Sequence, residues 1–147
     1  KKIVKALCKI KLKKQKKLIL GNLYSKRDWG HAEDYVEAMW KILQFKKPDD
    51  FVICTGKQYS IKSFINFVAK DLNMKIKWAG KGINEKAFDQ KNNCIIECNK
   101  RYFRPLEVDT LKGDCSKAKR LLKWRPKYDL KSLIKDMTSY ELKDLND

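Results

Sequence analysis

Apolar residues recur at helical spacing in several separated stretches, while no uninterrupted apolar run exceeds four residues. The clearest stripe is Ala32, Tyr35, Val36, Met39, Trp40 and Leu43, which fall at i, i+3, i+4, i+7, i+8 and i+11 and so mark one face of a helix. Glu37 and Lys41 lie off that stripe in the favourable i,i+4 order. Glu33 and Asp34 occupy its first turn, where the helix dipole favours anions. A second helix is expected after Ser60, a good N-cap, on the stripe Ile61, Phe64, Ile65, Val68 and Leu72. A third follows Asp129, with Leu130, Leu133, Ile134 and Met137. A short one begins near Asp114 or Ser116, carries Ala118, Leu121 and Leu122, and stops at Arg125-Pro126.

Between the helices lie the strand signals. Leu18–Leu20 ends at Gly21-Asn22, and the run over 51–54 (FVIC) ends at Thr55-Gly56 and reads as a buried strand. Ile76 and Trp78 alternate with lysines, and 93–98 is a weaker strand signal. The stretch 80–93 is polar and reads as a loop; Tyr102 to Pro105 reads as irregular. Strands alternating with helices indicate an α/β fold. Three or four short strands make a thin sheet, so the helical stripes are expected to need a partner that the chain lacks.

The 147 residues carry 35 Lys+Arg against 18 Asp+Glu, a formal net charge of +17. Thirty of the cations are Lys and only five are Arg (Arg27, Arg101, Arg104, Arg120, Arg125). Base readout favours the bidentate guanidinium, so this excess reads as surface composition rather than sequence-specific nucleic-acid recognition. Nine lysines fall in residues 1–17, with Ile3, Ala6, Leu7 and Ile10 on one side. That pattern describes a packed basic amphipathic helix; a nucleic-acid or membrane-surface arm is the alternative. No stretch is long enough for a transmembrane helix and no secretory signal is legible. A chain that begins with Lys1 in place of Met is expected to be a fragment.

Catalytic constellations are missing. Gly80-Lys81-Gly82 has no third glycine and no helix behind it, and no Gly-x-Ser-x-Gly or His-x-x-x-His occurs. His31 is the sole histidine and reads as structural. The five cysteines (Cys8, Cys54, Cys94, Cys98, Cys115) read as free thiols of a reducing compartment. Cys94 and Cys98, without a second pair or a nearby His, make no metal site. The unusual positions are Arg27, in a loop before a helix, and Arg104, before a proline with Glu107 three residues on. A guanidinium suits a phosphate and a carboxylate suits a ribose diol, although salt bridges with Asp28, Asp34 or Glu107 explain the same residues.

At these residues the chain resembles a family. Residues 20–22 (LGN), 26–40 (KRDWGHAEDYVEAMW), 50–56 (DFVICTG), 102–109 (YFRPLEVD) and 113–126 (GDCSKAKRLLKWRP) are similar, in order, to the GDP-mannose 4,6-dehydratases. The last block is general to nucleotide-sugar short-chain dehydrogenases; the second and fourth are specific to the dehydratase. Lys1-Lys2-Ile3 resembles an Arg-Lys-Ile that follows the catalytic half. Lys1 in place of Arg, and Tyr24 and Leu106 where the family is often polar, are the departures.

The resemblance implies that residues 1–147 are the C-terminal, substrate-binding part of an extended short-chain dehydrogenase, without the N-terminal Rossmann portion. It implies conversion of GDP-D-mannose to GDP-4-dehydro-6-deoxy-D-mannose with NADP, which takes a hydride from C4 and returns it at C6 after water leaves. The Gly-rich loop, the Tyr-x-x-x-Lys pair and its Ser/Thr partner lie upstream in the family, so neither catalytic nor cofactor-binding residues are expected here. Lys2, Arg27 and Arg104 match positions at or near the nucleotide diphosphate, Glu107 a carboxylate for the ribose hydroxyls, and Gly21 and Asn22 the strand end beside the nucleotide. A cytoplasmic homo-oligomer, inactive when reduced to this part, is the implied setting. A related nucleotide-sugar epimerase or reductase is the neighbouring alternative.

Overall fold

Each helix begins and ends where local chemistry puts it. In the computed structural model, which describes residues 1–103 and 108–146, α1 spans Lys2–Lys11, α2 Ala32–Leu43, α3 Ile61–Asp71, α4 Ser116–Leu121 and α5 Leu130–Asn146. The Ser60 hydroxyl accepts from the Ser63 N–H and caps α3. Asp129 accepts from the Ser132 N–H at the start of α5. Neither Asp114 nor Ser116 is the N-cap of α4: Cys115 holds that position without a side-chain cap bond, and Asp114, one residue earlier, accepts the Ser116 N–H. The first helix is shorter than the basic stretch that suggested it: it closes at Lys11, and Lys13 turns the chain with φ of 59°. Helix α4 likewise stops at Leu121, ahead of Arg125-Pro126, with Lys123 at φ 51°.

The described residues include the strands β1 (Leu18–Leu20), β2 (Lys26–Arg27), β3 (Tyr59–Ser60), β4 (Lys77–Ala79), β5 (Lys86–Phe88) and β6 (Cys94–Cys98). Four of them form a sheet in the order β1-β6-β5-β4. β1 runs parallel to β6, pairing Leu18 with Ile96 and Leu20 with Cys98; β4–β5 and β5–β6 are antiparallel. β2 and β3 make a separate antiparallel pair, so Arg27 lies in a short strand rather than in a loop. The polar stretch 80–93, expected as a loop, contains a 3-10 turn at Gly82–Asn84 and all of β5. Its single fully buried apolar residue, Ala87, is too small a signal to mark a strand whose stability comes from neighbours on both sides.

The main core joins Val4, Leu7, Ile65, Val68, Ile96 and Ile134, drawn from α1, α3, α5 and the sheet. It absorbs the basic segment. Lys2 Nζ donates to the Ile19 carbonyl, Lys11 Nζ to that of Leu72, and Lys14 Nζ to that of Leu145, so lysines close the C-terminal carbonyls of α3 and α5. Lys17 pairs with Glu97 at 2.8 Å. The packed-helix reading of the lysine-rich segment is the one the structure shows.

A second, smaller core holds Ala38, Cys54, Cys115, Ala118, Leu122 and Trp124. Here two expectations change. The stripe of α2 turns outward: Val36, Met39, Trp40 and Leu43 are 61–80% exposed, while Ala38 and Asp34 face in. Residues 51–54 form no strand and make no backbone–backbone hydrogen bond among the described residues. Val52 is 55% exposed. The apolar patterns are as read, but the surfaces that would cover them are not among the described residues.

Candidate functional site

The sequence blocks that carry the family resemblance are first of all bonded to one another. Asp28 accepts three hydrogen bonds from the 51–56 segment: Thr55 N–H (3.1 Å), Thr55 hydroxyl (2.5 Å) and Gly56 N–H (2.7 Å). Asp34, 1% exposed, takes the N–H groups of Lys127 (3.0 Å) and Tyr128 (3.1 Å), and the Trp124 indole N–H donates to its carbonyl. It works as a buried backbone clamp rather than as a dipole-favoured anion at the surface of the first turn. His31 is structural as well. Its Nδ1 accepts from the Glu33 N–H as the N-cap of α2, leaving Nε2 to donate to Asp136 (3.1 Å), and its ring stacks on Tyr128 at 4.0 Å.

With those side chains committed to structure, the described candidate nucleotide residues make the following contacts. Lys2 at the head of α1 lies 4.6 Å over the Tyr102 ring as well as on the Ile19 carbonyl. Gly21 follows β1 so closely against the Tyr102 carbonyl that a Cβ there would collide with it. Asn22 is turned back on itself, its Oδ1 accepting from the Tyr24 N–H (2.9 Å). Arg27 Nη1 donates to the carbonyls of Val108 (2.7 Å) and Lys26 (2.8 Å). The Lys26 N–H donates to the Asp109 carbonyl. Lys2 and Gly21 thus meet Tyr102, and Arg27 meets Val108. Arg104 and Glu107 lie outside the described residues.

Beside Lys2, a cavity of about 550 Å³ opens where the start of α1 faces the start of α2. Lys1, Lys2, Trp29, Gly30, His31 and Met137 are among its lining residues, and its volume is in the range of small-molecule sites. Trp29, packed 4.7 Å from Phe64, was not singled out by sequence reasoning; its only signal is its place next to Arg27-Asp28.

A more informative omission is Glu85, 2% exposed in what reads as a polar loop. It accepts from the Tyr24 hydroxyl (2.5 Å) and from Lys62 Nζ. Burial pushes its carboxyl up, and the Lys62 ammonium and Tyr24 hydroxyl together pull it down by more, below the ordinary carboxylate range.

Among the described residues, the paired glycines do not make a dinucleotide turn. Gly80 and Gly82 both have positive φ, but they turn the chain from β4 into a 3-10 turn and β5, not from a strand into a long helix. The sequence contains no Tyr-x-x-x-Lys. Among the described residues no cluster of three or more His, Cys, Asp or Glu has metal-binding geometry.

Comparison with known proteins places this arrangement. The family model described as GDP-mannose 4,6 dehydratase matches residues 1–137. The chain belongs to the GDP-mannose 4,6-dehydratase family. It is 43% identical over 141 residues to GDP-mannose 4,6 dehydratase 2 of Caenorhabditis elegans, covering 96% of this chain and 37% of that protein. To GDP-mannose 4,6 dehydratase 1 of Arabidopsis thaliana it is 45% identical, covering 96% and 35%. The chain therefore spans little more than a third of these relatives.

Solved structures give the same proportion. RMD from Pseudomonas aeruginosa, complexed with NADPH, superposes with a TM-score of 0.75 at 15% identity over 97% of this chain and 41% of that one. UDP-glucose 4-epimerase from Thermotoga maritima gives 0.70 at 20% over 97% and 40%. The α/β fold with its small sheet is thus shared with part of each of these two enzymes.

Proposed function

We propose that this chain is the substrate-binding part of a GDP-mannose 4,6-dehydratase, holding the GDP moiety of GDP-D-mannose while the rest of the polypeptide carries out its conversion to GDP-4-dehydro-6-deoxy-D-mannose. The observation that carries this reading is the convergence of Lys2 and Gly21 at Tyr102 and of Arg27 at Val108. These contacts bracket the stretch that contains Arg104 and Glu107. In this reading Lys2, Arg27 and Arg104 meet the diphosphate, Glu107 meets the ribose hydroxyls, and Gly21 and Asn22 shape the strand end beside the nucleotide. Binding energy spent on the nucleotide then orients the sugar at a reactive centre outside this chain.

NADP, which supplies the hydride chemistry, is assigned in this reading to parts of the enzyme beyond this sequence, as the family resemblance implies. The bare α2 stripe and the unpaired 51–54 segment are the surfaces this reading gives to those parts. The enzyme is proposed to work in the cytoplasm as a homo-oligomer. Five free cysteines, three of them buried, fit a reducing compartment, and no described helix is long and apolar enough to cross a membrane.

The test is to supply the complete polypeptide carrying this chain with GDP-mannose and NADP and to analyse the sugar nucleotide formed. Loss of one water with a carbonyl at C4 supports the dehydratase. An isomer of unchanged mass identifies an epimerase, and consumption of NADPH a reductase. Tight binding of oligonucleotides that survives moderate salt, with no turnover of any GDP-sugar, returns the basic-module alternative.

A further inference from the structure

The turn that joins Gly21-Asn22 to Arg27 is held by a closed ring of hydrogen bonds. The Lys62 backbone N–H donates to the Leu23 carbonyl (2.9 Å). The ammonium of the same Lys62 donates to Glu85 Oε1. Glu85 Oε2 accepts from the hydroxyl of Tyr24 (2.5 Å), the residue covalently next to Leu23, so the circuit closes. The Ile61 N–H adds a bond to the Ser25 carbonyl. Lys62 also sits 4.9 Å over the Trp78 ring, which ties β4 to the same point.

Three features separate this ring from ordinary core packing. Its carboxylate is 2% exposed and both oxygens are used, so neither partner can be lost without leaving a buried charge short of a donor. Tyr24, Lys62 and Glu85 all lie outside the two apolar cores. Tyr24 itself is 50% exposed, so its ring contributes little burial and its hydroxyl contributes the anchor. The residues that it fixes are those between the two halves of the candidate nucleotide surface. A binding loop ordered in advance does not lose its freedom again when the ligand arrives.

We propose that Tyr24, Lys62 and Glu85 are positioning residues for the nucleotide: the ring holds residues 21–27 in their binding conformation and thereby sets the affinity for GDP without touching the reacting sugar. The proposal rests on the GDP-binding reading above. It is tested in the complete polypeptide by measuring the GDP dissociation constant by calorimetry, together with KM and kcat for GDP-mannose. Tyr24→Phe removes one hydroxyl from a half-exposed side chain and is expected to raise both the GDP Kd and KM about fivefold, with kcat within about twofold and a melting temperature that is lowered but leaves the protein folded under assay conditions. Glu85→Gln is expected to raise them about tenfold or more, and Lys62→Arg, which keeps the cation and the N–H, to recover most of what Lys62→Met loses. If Glu85→Gln does not fold, Tyr24→Phe decides. GDP binding by the unsubstituted enzyme that Tyr24→Phe leaves unaltered overturns the role of the ring alone. No GDP binding by the unsubstituted enzyme overturns the GDP reading, and the ring's role with it.

Discussion

Asp34 is a carboxylate with 1% exposure and two backbone N–H groups for partners, so its worth can be stated. Removing it leaves the Lys127 and Tyr128 amides without acceptors in a part-buried site. Asp34→Ala is expected to destabilise by about 2–4 kcal/mol. The destabilisation is read from urea unfolding followed by circular dichroism. Cys54 makes a prediction about pH. Burial, and then the neighbouring Cys115 thiol, push its pKa from the ordinary 9.0 to about 11. The raised value means that the protonated thiol favours the folded state. That contribution is complete below about pH 9 and is lost as pH rises through about 11. Thermal midpoints recorded from pH 8 upward should therefore fall more steeply for the native chain than for Cys54→Ala, and iodoacetamide should leave native Cys54 unlabelled at pH 8. Neither role was legible beforehand. A carboxylate in a first turn and a cysteine in an apolar run carry the same signal whether or not a distant backbone comes to meet them.

At the scale of elements, the helices were legible and the sheet was only partly so. A helix displays its periodicity and caps within its own sequence, which is why α2, α3 and α5 begin at or within a residue of where Ala32, Ser60 and Asp129 put them. A strand is completed by its neighbours. The run at 51–54 looks like a strand and has no partner among the described residues, while β5 scarcely looks like one and sits inside the sheet between β4 and β6. Which side of α2 would be covered within this chain was also beyond the stripe itself, since a stripe shows amphipathicity and not who covers it. Met39 and Trp40 lie on that uncovered side. Produced by itself, the chain should aggregate or bind a hydrophobic dye. Met39→Lys with Trp40→Glu should lower dye binding and raise the solubility of this chain, and should destabilise the complete polypeptide, where burial of each side chain contributes about 1.5–3 kcal/mol. Equal behaviour of the two proteins in both settings would contradict the assignment of this face to the rest of the enzyme.

At the scale of the whole molecule, the net charge of +17 resolves into parts with different work. Lys2, Lys11 and Lys14 close carbonyls, Lys17 and Lys127 pair with carboxylates, and Lys62 joins the ring beneath Tyr24. Arg27 is different in kind, because its planar guanidinium, fixed against the Val108 carbonyl, suits a diphosphate in a way that a lysine does not. In the proposed function this chain supplies the nucleotide-binding surface of a GDP-mannose dehydratase. The most direct measurement is calorimetric titration of GDP into the complete polypeptide, native and Arg27→Lys. The native protein is expected to bind GDP, and Arg27→Lys, with charge conserved, to lose at least about tenfold in affinity. Equal affinity in the two proteins would contradict it.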